Sequence, residues 1–253
     1  MTIQENLKEI EKIHDVRILL AVESGSRAWG FESKNSDWDV RLIYVHKPEW
    51  YFKIDEQRDV IERMDGEIDL VGWELRKALK MLRKSNPSML EWLYSPIVYY
   101  ADTHFLDCIR NVEKNFFNPT ASMYHYNHIY TKHDERYLKK RDCSMKKFLY
   151  YLRGVLACKW IEQHKSLPPV AFRELVDRTV DERSMRERIE DLILLKKDGE
   201  EHDMLVVDKG LIEYARYWAE YFVEHIGSFR PETTHASTSE LDSILYDTVL
   251  LKR

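Results

Sequence analysis

Three cysteines in 253 residues, Cys108, Cys143 and Cys158, are too few and wrongly spaced for a disulfide framework or a cysteine-based zinc site. None forms a CxxC pair, and the odd number suits a reducing compartment, so a cytoplasmic location is expected. No stretch of 18 apolar residues is present, so no membrane partner is expected. The opening MTIQENLKEI lacks the basic region and apolar core of a secretory leader. An excess of positive charge is missing too. With 39 Lys and Arg against 44 Asp and Glu the formal net charge is −5. That argues against a purely electrostatic nucleic-acid binder and leaves room for a local basic groove. The chain has no Walker-type GxxxxGK[ST], no HExxH, no local Ser-His-Asp signature, no internal repeat and no low-complexity tract. What remains is a globular composition, 44% apolar and 33% charged, long enough for one large domain or two modest ones.

The first hundred residues mix short apolar runs with turn signals. Residues 3–13 read as an amphipathic helix with Ile3, Leu7, Ile10 and Ile13 near one face. Two β-rich runs follow, RILLAV at 17–22 and DVRLIYV at 39–45. Residues 60–64, Asp65-Gly66 and 67–73 have the pattern of strand, two-residue turn, strand. A helix is predicted over 74–84. Asn86-Pro87 starts another, with Asn as N-cap and Pro in the first turn, and 97–100 closes the set as a last strand. After Pro119 helical periodicity dominates, with helices predicted over 120–141, 142–165, 171–179, 181–197, 212–226 and 239–251. The tract 230–239 reads as an exposed loop. The expected fold is α+β: an α/β core around a small mixed sheet over residues 1–116, followed by an all-α C-terminal domain over 117–253.

One segment carries chemistry. Glu23-Ser24-Gly25-Ser26-Arg27-Ala28-Trp29-Gly30-Phe31 is followed by Ser36-Asp37-Trp38-Asp39-Val40-Arg41. Alternate residues of a strand share a face, so Asp37 and Asp39 are expected side by side. Two carboxylates so placed repel, and a divalent cation removes the penalty; hard oxygen ligands suit Mg²⁺. In Glu67-Ile68-Asp69-Leu70-Val71 the alternation turns Asp69 away from the Ile68 and Leu70 side, and an acid in mid-strand asks for a reason. Joining Asp37 and Asp39 is such a reason, because three carboxylates can hold two metals about 4 Å apart. Gly25 lets the main chain approach a phosphate, Ser26 can donate to phosphate oxygens, and Arg27 or Arg41 can add charge-assisted contacts. The chemistry implied is in-line attack of a hydroxyl on an α-phosphate, with pyrophosphate leaving.

Gly-Ser, a spacer of ten residues, Asp-x-Asp and a later strand Asp resemble the nucleotidyltransferase core of the DNA polymerase β superfamily. More closely, ESGSRAWGF, SDWDVR, EIDLVGWELRKAL, KSNPSMLEWLYSP and KKFLYYLRGVLACKWI resemble the nucleotidyltransferase family that includes RNA-ligase-associated polymerases of RNA repair. The resemblance covers roughly residues 20–165. It implies a nucleotidyltransferase domain followed by helices and Mg²⁺-dependent transfer from an NTP, for which ATP is a plausible donor and Mn²⁺ a substitute metal. It also implies that Gly25 and Ser26 bind triphosphate, that Asp37 and Asp39 bind both metals, and that Asp69 completes the site of the attacking hydroxyl. Trp38 departs from the small aliphatic residue common inside Asp-x-Asp and is expected to pack beneath the site.

Other residues have a plainer reading beside the functional one. The segment 132–153 holds eight basic and three acidic residues with interleaved aromatics, the pattern of a wall that meets triphosphate or a nucleic-acid backbone. Lys146, Lys147 and Arg153 are its best candidates for nucleotide binding, against a solvated helix face. His125, His128 and His133 lack partner ligands and are not expected to bind zinc. Trp29 and Phe31 are expected in the core rather than stacked on a base. Glu23 is expected either to stand behind the site or to orient Arg27, with a buried structural ion pair as the plainer reading. The function expected is nucleotidyl transfer to an RNA or DNA 3′ end. The alternatives are transfer to a small molecule or protein side chain, and a nucleotide or nucleic-acid binding module without turnover.

Overall fold

The alternating runs of the N-terminal half form one five-stranded mixed sheet. The computed structural model describes residues 1–133, 144–199, 208–229 and 237–250. Helix α1 (Ile3–His14) begins with a capping box, in which the Thr2 hydroxyl accepts the Glu5 amide and the Glu5 carboxylate accepts the Thr2 amide. Strands β1 (Val16–Glu23), β2 (Trp38–His46), β3 (Val60–Asp65), β4 (Ile68–Glu74) and β5 (Val98–Ala101) pair in the order β3-β4-β2-β1-β5. β2 and β4 run parallel and every other pair is antiparallel. Between the strands lie α2 (Gly25–Trp29), α3 (Leu75–Arg83) and α4 (Pro87–Leu93), and α5 (Thr103–Phe116) follows β5. Asn86 caps α4 through its side chain, as the Asn-Pro pair predicts.

Period-two alternation divides β2 and β4 between two faces. Val40, Leu42, Tyr44, Ile68 and Leu70 pack with Leu7 and Ile10 of α1 in one core. The intervening residues, Asp39, Arg41, Asp69 and Trp73 among them, belong to the other face, where Trp73 meets Trp92 of α4 at 4.1 Å between ring centroids.

The chain divides into two compact units that are not consecutive in sequence. The first holds residues 1–28 and 37–117 together with the C-terminal helix α11 (Thr238–Leu250). This helix packs on α3, α5 and β2, and Arg17 of β1 donates to the Thr248 carbonyl at 3.0 Å. The second unit holds residues 29–36 with α6 (Pro119–His133), α7 (Met145–His164), α8 (Phe172–Thr179), α9 (Arg183–Asp198) and α10 (Lys209–His225). Its core surrounds α7, whose residues are buried almost all round from Phe148 to Ile161, and takes in Phe31. A single cut at 116/117, as expected from the change in sequence texture, therefore omits two exchanges: 29–36 join the helical unit and the last helix joins the sheet.

Two local features also differ from expectation. The hairpin pairs Asp65 with Ile68, so its turn residues are Gly66-Glu67, one position later than the Asp-Gly signal suggests. Residues 103–116 are helical, started by the Asp102 carboxylate accepting the Phe105 amide at 3.1 Å. The expected helix ends at 141 and 142, and the loop at 230–236, lie outside the described residues.

Leu241 of α11 is 4% exposed. Its replacement by Ala should lower the unfolding free energy by ~2–4 kcal/mol, measured by urea denaturation. A change below ~0.5 kcal/mol, the scale of surface substitutions, would mean that α11 is not part of the sheet unit in solution.

Candidate active site

β1 ends at Glu23 and β2 begins at Trp38, so the long excursion between them starts and finishes on two paired strands. The Ser24 amide donates to the Asp39 carbonyl at 2.8 Å. Gly25 follows with φ +60°, and a Cβ there would stand 2.2 Å from Asp39 Oδ2 and 3.0 Å from its Cγ. Glycine is required on both counts: the left-handed backbone and the carboxylate packed against it. The Gly-Ser bend and the second acid of Asp-x-Asp are thus in direct contact. Ser26 lies in the short helix α2 and is buried.

Asp39 is the Cα partner of Asp69 across the parallel β2–β4 ladder, and both belong to the same face. Arg41, two residues along β2, belongs to that face as well. Its Nη2 donates to Asp39 Oδ1 at 2.8 Å and to Asp69 Oδ2 at 2.9 Å, while Nη1 donates to the Asp69 carbonyl at 2.9 Å and the Val40 carbonyl at 3.1 Å. Two like charges abreast are costly, and the guanidinium neutralises both through charge-assisted bonds. Arg41 therefore sits on the carboxylates rather than pointing toward a phosphate as an added contact.

Glu23 supplies a third carboxylate, wholly buried at 0% exposure. One oxygen accepts the Asp39 amide at 2.8 Å and the other accepts the Tyr99 hydroxyl of β5 at 2.5 Å. Burial pushes its pKa up, and the bonds from Tyr99 and the Asp39 amide pull the other way. Burial and the adjacent Glu23 carboxylate both raise the pKa of the Tyr99 hydroxyl, which stays protonated and donating. Among the described residues Glu23 has no salt bridge, and the positive charge of Arg27 acts on it electrostatically, lowering its pKa.

Asp37 stands one residue before β2 and is exposed. It precedes the first ladder pair, Trp38 with Ile68, by one residue. Ser33 and Ser36 bond to each other through side chain and main chain and close a buried turn just upstream. The Asp37 carbonyl accepts Arg27 Nε at 3.1 Å, and the Arg27 guanidinium lies 3.8 Å over the half-buried Trp38 ring. Arg27 and Trp38 thus brace the entry to β2.

In the helical unit, Lys146 and Lys147 occupy the first turn of α7, where the Ser144 hydroxyl accepts the Lys147 amide. Arg153 is 2% exposed, with its guanidinium 4.6 Å over the Trp29 ring. Phe31 is fully buried and Trp29 packs against the same core. The remaining basic residues of 134–143 lie outside the described residues, and the His133 side chain is not described.

Among the described residues no group of three or more His, Cys, Asp or Glu side chains is assembled for a metal ion. The pair Asp39 and Asp69 nevertheless suits a hard cation in its donor set. Both offer carboxylate oxygens, and a protein cation already stands between them. Arg41 was legible for this role through strand alternation with Asp39. Nothing in the sequence marks Tyr99 as a partner of Glu23.

A family model described as RlaP, the RNA repair pathway DNA polymerase beta family, matches residues 1–247. An uncharacterized Bacillus subtilis (strain 168) protein, YcgL, is 42% identical over 246 residues, covering 97% of this chain and 94% of its own. An uncharacterized Methanocaldococcus jannaschii protein, MJ0002, is 27% identical over 138 residues, covering 53% of this chain and 55% of its own. A solved nucleotidyltransferase-like protein from Exiguobacterium sibiricum 255-15 aligns over 98% of this chain and 88% of its own, with a TM-score of 0.36 and 14% identity, a likeness too slight to carry an argument. No helix among the described residues is long and apolar enough to cross a membrane.

Two outcomes are expected of this geometry. Gly25→Ala should leave the chain folded but displace the Asp39 carboxylate, costing ~1–2 kcal/mol of stability for the left-handed backbone and the overlap; urea denaturation gives the cost. Arg41→Gln should lower the melting temperature without divalent ions and enlarge the rise in melting temperature that Mg²⁺ produces, since the two carboxylates lose their internal counter-ion. An equal Mg²⁺ response in native and variant protein would mean that Mg²⁺ does not meet this pair.

Proposed function

We propose that this chain, which belongs to the RNA repair pathway DNA polymerase beta family, moves a nucleoside monophosphate from an NTP to a hydroxyl acceptor at an RNA 3′ end. The single observation that carries the reading is the in-register pair Asp39 and Asp69, with Gly25 packed against an oxygen of Asp39. Family membership supports a nucleotidyltransferase; the donor ATP, the metal and the RNA acceptor are part of the proposal.

Asp39 and Asp69, with Asp37 from the segment leading into β2, would hold Mg²⁺, for which Mn²⁺ can substitute. Bound there, the metal supplies Lewis-acid charge to the phosphate oxygens and acidifies the attacking hydroxyl. The chain itself binds and orients. Gly25, packed on the Asp39 carboxylate, turns the main chain so that its bend and the Ser26 hydroxyl would meet the triphosphate, and Arg27, held by Trp38, adds charge beside it. Lys146 and Lys147 add charge for the NTP or the acceptor backbone. Arg153, buried under Trp29, supports its unit's core and is left out of the binding set. In the transfer, the acceptor oxygen bonds to the α-phosphorus as the bond from that phosphorus to the α,β-bridging oxygen breaks. Pyrophosphate leaves with that electron pair, and the acceptor proton passes to Asp69 or to water.

The test is incubation with α-labelled NTP, Mg²⁺ and RNA, DNA or protein acceptors. Label is expected on RNA, with pyrophosphate released in equal amount. Asp39→Asn should reduce the rate at least ~100-fold, as loss of a group acting in the transition state does, with the melting temperature unchanged or raised. Label on protein alone would overturn the RNA acceptor, and an undiminished rate in Asp39→Asn would overturn the assignment of the site.

A further inference from the structure

In a regular antiparallel ladder, the pair formed by Ser24 and Asp39 would exchange both main-chain bonds. The Ser24 amide does take the Asp39 carbonyl. The Asp39 amide, however, is accepted at 2.8 Å by a carboxylate, that of Glu23. The chain has turned upward at Gly25, and the side chain of the last β1 residue serves where a main-chain acceptor would. Its other oxygen is held by Tyr99 of the edge strand, while the Ser95 hydroxyl donates to the Glu23 carbonyl at 2.6 Å and the Glu23 amide donates to the Ile97 carbonyl at 2.9 Å. The segment 95–99 thus holds Glu23 on its carboxylate, its carbonyl and its amide, and Glu23 holds Asp39.

We propose that Glu23 is the positioning residue of the site: its carboxylate, locked by Tyr99, fixes the backbone of Asp39 so that the Asp39 carboxylate stays against Gly25 and abreast of Asp69. The inference rests on the reading of Asp39 and Asp69 as cation ligands. Glu23 is wholly enclosed, so it acts through Asp39 and touches neither substrate nor metal. A carboxylate is a costly group to bury without a cation, and a bond to charge holds an amide more strongly than a neutral acceptor does. Cation sites lose affinity when a ligand drifts by more than ~0.5 Å, so a loosened Asp39 backbone must appear as weaker cation binding.

The experiment measures Mn²⁺ affinity of the full-length protein by the electron paramagnetic resonance of free Mn²⁺, and exchange of the Asp39 amide hydrogen by NMR. Glu23→Gln keeps an acceptor for the amide and should bind Mn²⁺ within threefold of native protein, with the amide still protected. Glu23→Leu removes the acceptor and should weaken Mn²⁺ binding at least tenfold while the amide exchanges at least tenfold faster. Tyr99→Phe keeps Glu23 and frees one of its oxygens, and should weaken Mn²⁺ binding at least threefold; it decides the matter if Glu23→Leu does not fold. Faster exchange with native Mn²⁺ affinity would make Glu23 a purely structural residue and overturn the inference. Equal weakening in Glu23→Gln and Glu23→Leu would overturn it in favour of buried charge. Absence of Mn²⁺ binding by the native protein would instead overturn the reading of Asp39 and Asp69 as cation ligands, and this inference with it.

Discussion

Repulsion between two carboxylates organises the beginning of the sheet. Parallel pairing of β2 and β4 sets Asp39 opposite Asp69 on one face, a placement that opposes folding unless positive charge lies between them. Arg41 supplies that charge from within β2, and the rest of its guanidinium is spent on two main-chain carbonyls. The strand thus carries the problem and its internal solution two residues apart, on the same alternation. An arrangement of this kind is stable with its own counter-ion and remains chemically attractive to an external one, because the guanidinium offers charge without the oxygen-directed coordination of a hard cation.

The elements that form this site were readable because each rests on local chemistry. The Asn-Pro start at Asn86 and the alternation of Ile68, Asp69 and Leu70 are determined by neighbours within a few residues. Asp69 was readable for a further reason: its side of the strand is polar only at that end, and an acid there breaks a propensity. The Gly25 requirement was legible as a close approach, although the group approached is Asp39.

The remainder depends on contacts remote in sequence. The ladder begins at Trp38, directly after the Ser33–Ser36 turn and the Asp37 carbonyl that accepts Arg27, contacts no strand pattern signals. The helix at Thr103–Phe116 has its Asp102 cap in plain view, yet it lies where the change in texture invites a domain boundary. The return of α11 to the sheet unit depends on packing against α3 and α5, more than a hundred residues upstream, and no local pattern encodes it. Arg153 is the reverse case: its basic neighbourhood suggests a phosphate contact, while long-range packing with Trp29 turns it inward.

Glu23, Gly25 and Asp39 constitute a single mechanical unit rather than three separate features. The Glu23 carboxylate takes the Asp39 amide, the Ser24 amide takes its carbonyl, and the Gly25 Cα leaves no space beside its carboxylate. Main chain and side chain of one residue are therefore fixed from three consecutive positions. Substitutions within such a set share a partner, so their effects do not add: once Asp39 is displaced by a side chain at 25, loosening its amide at 23 has little left to disturb. Asp69 and Arg41 meet the set at Asp39, through the ladder and the guanidinium, so changes there should couple to those at 23 and 25 as well. The boundary of the site is thus defined energetically by coupling to Asp39, and that boundary includes Glu23, a residue with no access to solvent.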